Sequence, residues 1–445
     1  MVKWFTPSKI IFIGFLTLGL VGGILFTLPI SSPQGKECSF VDGLFTAVSS
    51  VCVTGLNIKD TPNDFTTFGQ IVMLLLIQIG GIGYMSIAAL LFFLLRRRFS
   101  VRQTTLTEES IGYSSGEIQK FMVKLIKITV TFELIGAVIL STYFAVKGIP
   151  GAIFKGIFHS VSAFCNAGFS LFSDNLCSFV DSPVIVLTIG FLIISGGLGF
   201  VVWKDIRENI LHKKRLDLNA KLVIITTLIL LGIGIIGVLA FEWSGTLGAF
   251  PVKTKILASF FQSVTPRTAG FQVVNVGNYQ SATLLLTIIL MFIGASPGGT
   301  GGGIKTTSAA TIWLCLVAFM KKKRDIVCFN RKMGHVNIEK VYAVTFTAIL
   351  VVITGIMILT LSEKGQSFVA LVFEDVSAFG TVGLSMGSKI NPYCSLAYDF
   401  TDIGKIVLII TMLIGRVGPI IVGTLFLPLP EREIIKYPKD EVLVG

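Results

Sequence analysis

The chain runs to 445 residues, 53% of them hydrophobic and only 14% charged, with a mean hydropathy of +0.82. Soluble domains carry roughly 25% charged residues, so a soluble globular chain is excluded, and the apolar residues gather into runs long enough to span a bilayer. The net charge of +12 does not read as a nucleic-acid surface, because the basic residues sit in short loops between apolar runs, where they orient a membrane protein.

After Lys3 and Lys9, residues 10–30 form the first run long enough to cross. It is too long, and lacks the small-residue site, for a cleaved signal peptide. A polar loop leads to a short apolar stretch around Phe45 and Leu56 that cannot cross. Residues 69–95 are the next span and end in Arg96-Arg97-Arg98. This order of long helix, short segment and long helix recurs as 121–146, 152–164 and 184–202, and again as 222–241, 256–264 and 282–319. The fourth copy is 341–361, 368–379 and 403–427.

The short segments are copies of one another. Gly55, Gly168, Gly270 and Gly383 fall into register at intervals of 113, 102 and 113 residues, and Phe45, Phe158, Phe260 and Phe373 each stand ten residues before the glycine. A period near a hundred is too long for a solenoid unit and predicts four multi-helix modules. They divide the chain into 1–98, 99–215, 216–335 and 336–445. The N-terminus, the loops between copies and the tail hold most of the Lys and Arg. The opposite side holds Lys36, Lys59, Lys147, Lys155, Lys253, Lys255, Lys364 and Lys389. The positive-inside rule then predicts cytoplasmic termini, eight spans, and four short segments entering from outside.

Non-helical backbone at membrane depth survives only where protein buries it or where it lines a wet cavity. A single glycine of this kind also serves close helix packing. Four with the same flanks can surround one axis, with carbonyls turned inward to replace the water shell of a cation.

The four loops Cys52-Val53-Thr54-Gly55, Cys165-Asn166-Ala167-Gly168, Arg267-Thr268-Ala269-Gly270 and Gly380-Thr381-Val382-Gly383 resemble the filter loops of the Trk/Ktr/HKT superfamily of potassium transporters. The resemblance covers essentially the whole chain and is closest to the Ktr membrane subunit. It implies an all-α polytopic membrane protein of four M1–pore loop–M2 repeats around a pseudo-fourfold pore axis, in the cell membrane. It also implies that these sixteen residues bind transported K+, with Na+ as a coupling or activating ion of symport and no organic cofactor. The partners it implies are a second copy in a homodimer, a cytoplasmic ring of RCK-type nucleotide-binding subunits, and membrane lipids.

The run 282–319 would reach about 57 Å as one helix, nearly twice the hydrocarbon core. Its middle holds Gly294, Pro297, Gly298, Gly299, Gly301, Gly302 and Gly303, followed by Ile304 and Lys305. Each glycine costs about 1 kcal/mol in a helix and the proline about 3, so a loop interrupts the span. Ile304 spoils the match to a phosphate-binding loop, and no strand precedes it. A passive hinge is the plain reading of this stretch, and the family resemblance implies a gate beneath the filter.

Arg416 lies inside the last span, where a charge is expensive, and matches the pore-facing arginine of the family. Arg267 in the third short segment, and Glu374 with Asp375 in the fourth, are expected buried partners, since adjacent copies place these segments side by side. Glu133 reads as a polar contact between helices. His159, His212 and His335 have no metal-ligand spacing, and no catalytic set stands out. Cys38, Cys177 and Cys394 lie in outer loops, where a disulfide is not expected. A secondary transporter with its substrate site at the broken helix is the alternative, but such folds use inverted or two-fold repeats, whereas these four run in one direction.

Overall fold

The computed structural model describes residues 7–83, 115–323 and 325–419. The predicted triplet Arg96–Arg98, Arg324, the ends of the first and fourth M2 runs and the C-terminal tail lie outside these residues. Within them each copy has a long M1 helix, a short helix, and an M2 run that is a single helix or two. Copy one has α1 (Pro7–Thr27), α2 (Phe40–Val51), a single turn α3 (Thr61–Asp64) and α4 (Thr67–Ile82). Copy two has α5 (Ser115–Val146), α6 (Ala152–Phe164), α7 (Pro183–Leu198) and α8 (Phe200–His212). Copy three has α9 (Leu218–Glu242), α10 (Val252–Val264), α11 (Ser281–Phe292) and α12 (Thr306–Met320). Copy four has α13 (His335–Ser362), α14 (Phe368–Gly380) and α15 (Asp402–Val417). A two-residue hairpin, β1 (Val327–Cys328) with β2 (Arg331–Lys332), joins copies three and four.

Local chemistry starts the helices where they start. Ser39 caps α2 by accepting the Asp42 N–H at 3.1 Å, and Ser182 caps α7 with Pro183 at its first position. Such caps satisfy N–H groups that have no partner inside the helix. Buried glutamates at the ends of the M1 helices then tie the copies shut. Glu242 accepts from Thr283 Oγ1 at 2.6 Å, and Glu363 accepts from Thr401 Oγ1 at 2.6 Å, each fixing the start of the M2 helix in its own copy.

Packing closes a ring. The M2 helix of each copy lies on the short helix of the next: α4 on α6, α7 on α10, α11 on α14, and α15 back on α2. The Lys405–Asp42 ion pair, at 2.7 Å, pins this last junction between the fourth copy and the first. A pseudo-fourfold arrangement follows. A fully buried phenylalanine at the matching place anchors each short helix: Phe45, Phe158, Phe261 and Phe373.

That set corrects the predicted register, since Phe260 is only half-buried and Phe261 takes the core position. The third copy is one residue shorter between its anchor and its glycine.

The M2 helices also correct the expectation of continuous spans. Among the described residues, Leu218–Glu242 and Asn337–Ser362 are each long and apolar enough to cross a bilayer. The α4 helix stops at Gly83, with φ +84°, and α15 stops at Gly418, with φ +105°. At Gly199, with φ +87°, the chain turns by 97° between α7 and α8. A left-handed glycine ends a helix at little cost, so α4 and α15 stop at such a glycine and the second M2 bends at one. All seven cysteines are unpaired. Burial pushes the Cys177 and Cys394 thiols up to about 12.

Candidate functional site

The four short helices end just before the four glycines, so four helix C-termini converge on one place. Each carries a partial negative charge of about half an electron, which favours a cation there. In every copy the residue two before the glycine and the glycine itself are left-handed. The pairs are Val53 and Gly55, Asn166 and Gly168, Thr268 and Gly270, and Thr381 and Gly383. Alternation of backbone hand turns successive carbonyls to one side instead of to opposite faces as in a strand.

The glycines are in mutual contact. A Cβ on Gly168 would stand 2.6 Å from the Ala269 carbonyl, and one on Gly270 2.5 Å from the Val382 carbonyl. A Cβ on Gly383 would meet the Thr54 carbonyl, and one on Gly55 the Ala167 carbonyl. Each copy therefore abuts the next and the fourth returns to the first. No side chain fits at any of the four.

A hydroxyl post stands behind each loop. Ser49 Oγ donates to the Leu56 carbonyl at 2.7 Å and accepts the Gly55 N–H at 3.2 Å. Ser162 Oγ donates to the Phe169 carbonyl, Thr265 Oγ1 to the Phe271 carbonyl at 2.6 Å, and Ser377 Oγ accepts the Gly383 N–H at 3.1 Å. The sequence reading missed these four. Aligning the third copy on Phe261 puts Thr265 opposite Ser49, Ser162 and Ser377, and that is the signal that would have found them.

Beneath the ring, residues 294–305 form a compact loop, not a slack one. The Gly294 N–H donates to the Ile304 carbonyl at 2.8 Å and closes its neck, and Lys305 Nζ donates to the Gly301 carbonyl at 2.8 Å. One side rests on the bend of copy two, where Ser296 and Thr300 N–H groups donate to the Gly197 and Gly196 carbonyls. The other side touches the ring itself, where the Gly302 N–H donates to Thr381 Oγ1 at 2.9 Å and Gly301 lies against Thr268 Oγ1.

Arg416 reaches this loop from the fourth copy. Its side chain is 8% exposed, and it donates to the Thr300 carbonyl in the loop and to the Gly80 carbonyl on α4. It thus bridges copies three, four and one. Gly80, Gly196 and Gly415 are equivalent, since each lies against the last turn of the short helix in its own copy, at Val51, Phe164 and Phe379. The next residue is Gly81, Gly197 or Arg416, so the arginine stands where two other copies have no side chain.

The expected pairing of Arg267 with Glu374 and Asp375 is not formed. Glu374 accepts from Ser385 Oγ at 2.7 Å and from Ser395 Oγ, and Asp375 accepts from Thr411 Oγ1 at 3.4 Å. The Arg267 guanidinium turns outward to the Thr227 and Gly294 carbonyls at 3.4 and 3.5 Å, leaving only its backbone at the ring. Glu133 is a contact between helices, accepting from Gln78 Nε2 at 3.1 Å. His159 is a packing residue held between the Lys155 carbonyl and Ser170 Oγ.

The family model described as TrkH, cation transport protein, matches residues 19–437. The chain belongs to this cation transport protein family. Over its full length it is 40% identical to the Ktr system potassium uptake protein B of Bacillus subtilis, covering 98% of that protein. It is 37% identical to the Ktr system potassium uptake protein B of Vibrio alginolyticus, with 98% of this chain and 94% of that protein covered. It is also 37% identical to the potassium/sodium uptake protein NtpJ of Enterococcus hirae, with 100% and 98% covered. The fold matches the crystal structure of the potassium transporter TrkH from Vibrio parahaemolyticus with a TM-score of 0.75 at 18% identity, over 96% of this chain and 86% of that one. Membership in the TrkH family makes this a membrane transport protein and accounts for its four-part ring.

Proposed function

We propose that this TrkH-family chain is the ion-conducting subunit of a potassium uptake system in the cell membrane, with the ring as its selectivity filter. The closed circle of four glycine backbones at the ends of four short helices carries this reading. Carbonyls of Val53 and Thr54, Asn166 and Ala167, Thr268 and Ala269, and Thr381 and Val382, with those of Cys52, Cys165, Arg267 and Gly380 beneath and of the glycines themselves, replace the water around a dehydrated K+. The names of the two Ktr relatives support K+ as the cargo, and the name of the Enterococcus relative supports Na+ as a second ion.

The loop that holds Gly294, Pro297, Gly298, Gly299, Gly301, Gly302, Gly303 and Lys305 is the gate, latched by Arg416. It blocks the route below the ring, and the guanidinium adds an electrostatic barrier to a cation resting there. Opening requires the loop to leave its seat, without a rotation of whole helices. The termini face the cytoplasm, and the subunit works as a homodimer on a ring of nucleotide-binding RCK-type subunits, in line with the word "system" in the relatives' names.

Flux from liposomes tests the reading directly. Purified protein should pass Rb+ much faster than Na+ under equal gradients. Equal rates for the two ions, or none for either in folded protein, would sink it.

A further inference from the structure

Away from the ring, a cavity of 280 Å³ opens between α5 and α8. Leu125 and Phe200, both buried, give it an apolar wall, and Lys124, Lys204, Arg207 and Lys214 stand around it. Among the described residues that line it, the carboxylate is Glu208, held by Lys214 at 3.2 Å, against the four cations Lys124, Lys204, Arg207 and Lys214. The α8 helix follows the 97° turn at Gly199 and runs across the end of α7 instead of continuing it. Ile210 and Leu211 on α8 are 71% and 61% exposed. A helix laid across the end of a spanning helix, with bare apolar side chains beside cations, is built to lie in the headgroup layer. It lies on the side where the basic loops gather, which the charge rule assigns to the anionic leaflet.

We propose that this cavity holds the phosphate headgroup of an anionic phospholipid, and that the bound headgroup braces the seat of the intramembrane loop. An acyl chain follows the apolar wall while Lys124, Lys204 and Arg207 surround the phosphate. The connection to the loop is short. The first N–H of α8, on Phe200, donates to the Gly298 carbonyl at 3.2 Å. Just before it, the Gly196 and Gly197 carbonyls accept from Thr300 and Ser296, and the Thr300 carbonyl accepts from Arg416. Fixing α8 fixes the surface against which the closed loop rests, so bound lipid favours the closed state. This second half rests on the reading of the loop as a gate, whereas lipid binding does not.

Native mass spectrometry of the full-length protein in detergent, titrated with phosphatidylglycerol or phosphatidylcholine, tests the site. A basic residue near a headgroup is worth about 1 kcal/mol. The triple variant Lys124→Gln, Lys204→Gln, Arg207→Gln should therefore lose roughly a hundredfold in affinity for phosphatidylglycerol. A charge-keeping triple, Lys124→Arg, Lys204→Arg, Arg207→Lys, should retain it, and neither should shift binding of phosphatidylcholine. Equal phosphatidylglycerol binding by the wild type and the Gln triple would overturn the site. Displacement of the lipid by millimolar inorganic phosphate would overturn it too, in favour of a soluble anion.

In liposomes, replacing part of the phosphatidylcholine by phosphatidylglycerol should lower Rb+ flux through the wild type and leave the Gln triple unchanged. If both proteins respond alike, the bracing is wrong while the transport reading stands.

Discussion

The ring of glycines and the layer beneath it are built on opposite plans. At the ring every copy supplies the same parts: a short helix, a left-handed pair, a glycine and a hydroxyl behind it. One layer below, no part is shared by all four copies. Copies one and two leave Gly81 and Gly197, copy three inserts a twelve-residue loop and copy four supplies Arg416. A cation stripped of water needs donors on all sides, which rewards equality among the copies. A closure needs only one part that moves and one that holds it. On the proposed function, the upper layer serves recognition and the lower one control.

The comparison breaks most visibly at the ring. Replacing Gly383 with serine puts a Cβ against the Thr54 carbonyl, at a φ of +90° that a side chain strains to adopt. K+ over Na+ discrimination should fall by about tenfold or more, and Gly55→Ser, Gly168→Ser and Gly270→Ser should do the same. Competition of Na+ against Rb+ uptake reads this out, and four single variants with wild-type selectivity would show that the ring is not the filter.

A lower-layer change should leave selectivity alone. Deleting Gly299 to Gly302 removes the carbonyl of Thr300 and the contacts with Thr381 and Thr268, so Rb+ flux should rise roughly tenfold with the Na+ ratio unchanged. Loss of flux in a folded deletion variant would instead make the loop part of the conduction scaffold.

Arg416→Ala is milder because the neck and the Lys305 bond remain. Each bond from a charged donor contributes about 1.5–3 kcal/mol, shared here between two carbonyls that water can partly satisfy, so a rise of severalfold in flux is expected. Arg416→Lys sharpens the point. An ammonium keeps the charge but lacks the planar fork that serves two carbonyls at once. A lysine variant that leaks like alanine identifies the latch, and one that stays tight identifies the charge.

The smallest effect belongs to the posts. Ser49→Ala loses two bonds to the loop, and Thr265→Ala loses one in the shortened copy. Each should cost about 1–2 kcal/mol of thermal stability and less than tenfold in selectivity. A fall in selectivity as large as that of Gly383→Ser would mean that the posts set the ring's width, not just its rigidity.

Much of the ring was legible along the chain, because the copy-to-copy likeness and the need for a left-handed glycine are local properties. Register in the third copy was not. Phe260 and Phe261 are adjacent and chemically identical, and only burial against neighbouring helices separates the core residue from its neighbour. The breaks in the other M2 helices were hidden for a related reason. Gly-Gly-Ile-Gly and Gly-Gly-Leu-Gly read equally well as small residues that let helices pack closely.

The sequence by itself determined that the chain is a membrane protein of four like modules, that a glycine-bearing loop after a short helix is their common feature, and that the third M2 is interrupted. Those conclusions follow from hydropathy, periodicity and backbone preference over a few tens of residues. Only the tertiary structure decided what Arg416 holds. Its acceptors are main-chain carbonyls at positions 80 and 300, and a carbonyl carries no mark of its role in the sequence. A carboxylate does carry such a mark, which is why Glu374 and Asp375 looked like partners of Arg267. Their actual contacts are the hydroxyls of Ser385, Ser395 and Thr411, brought near by the folding of the fourth copy on itself.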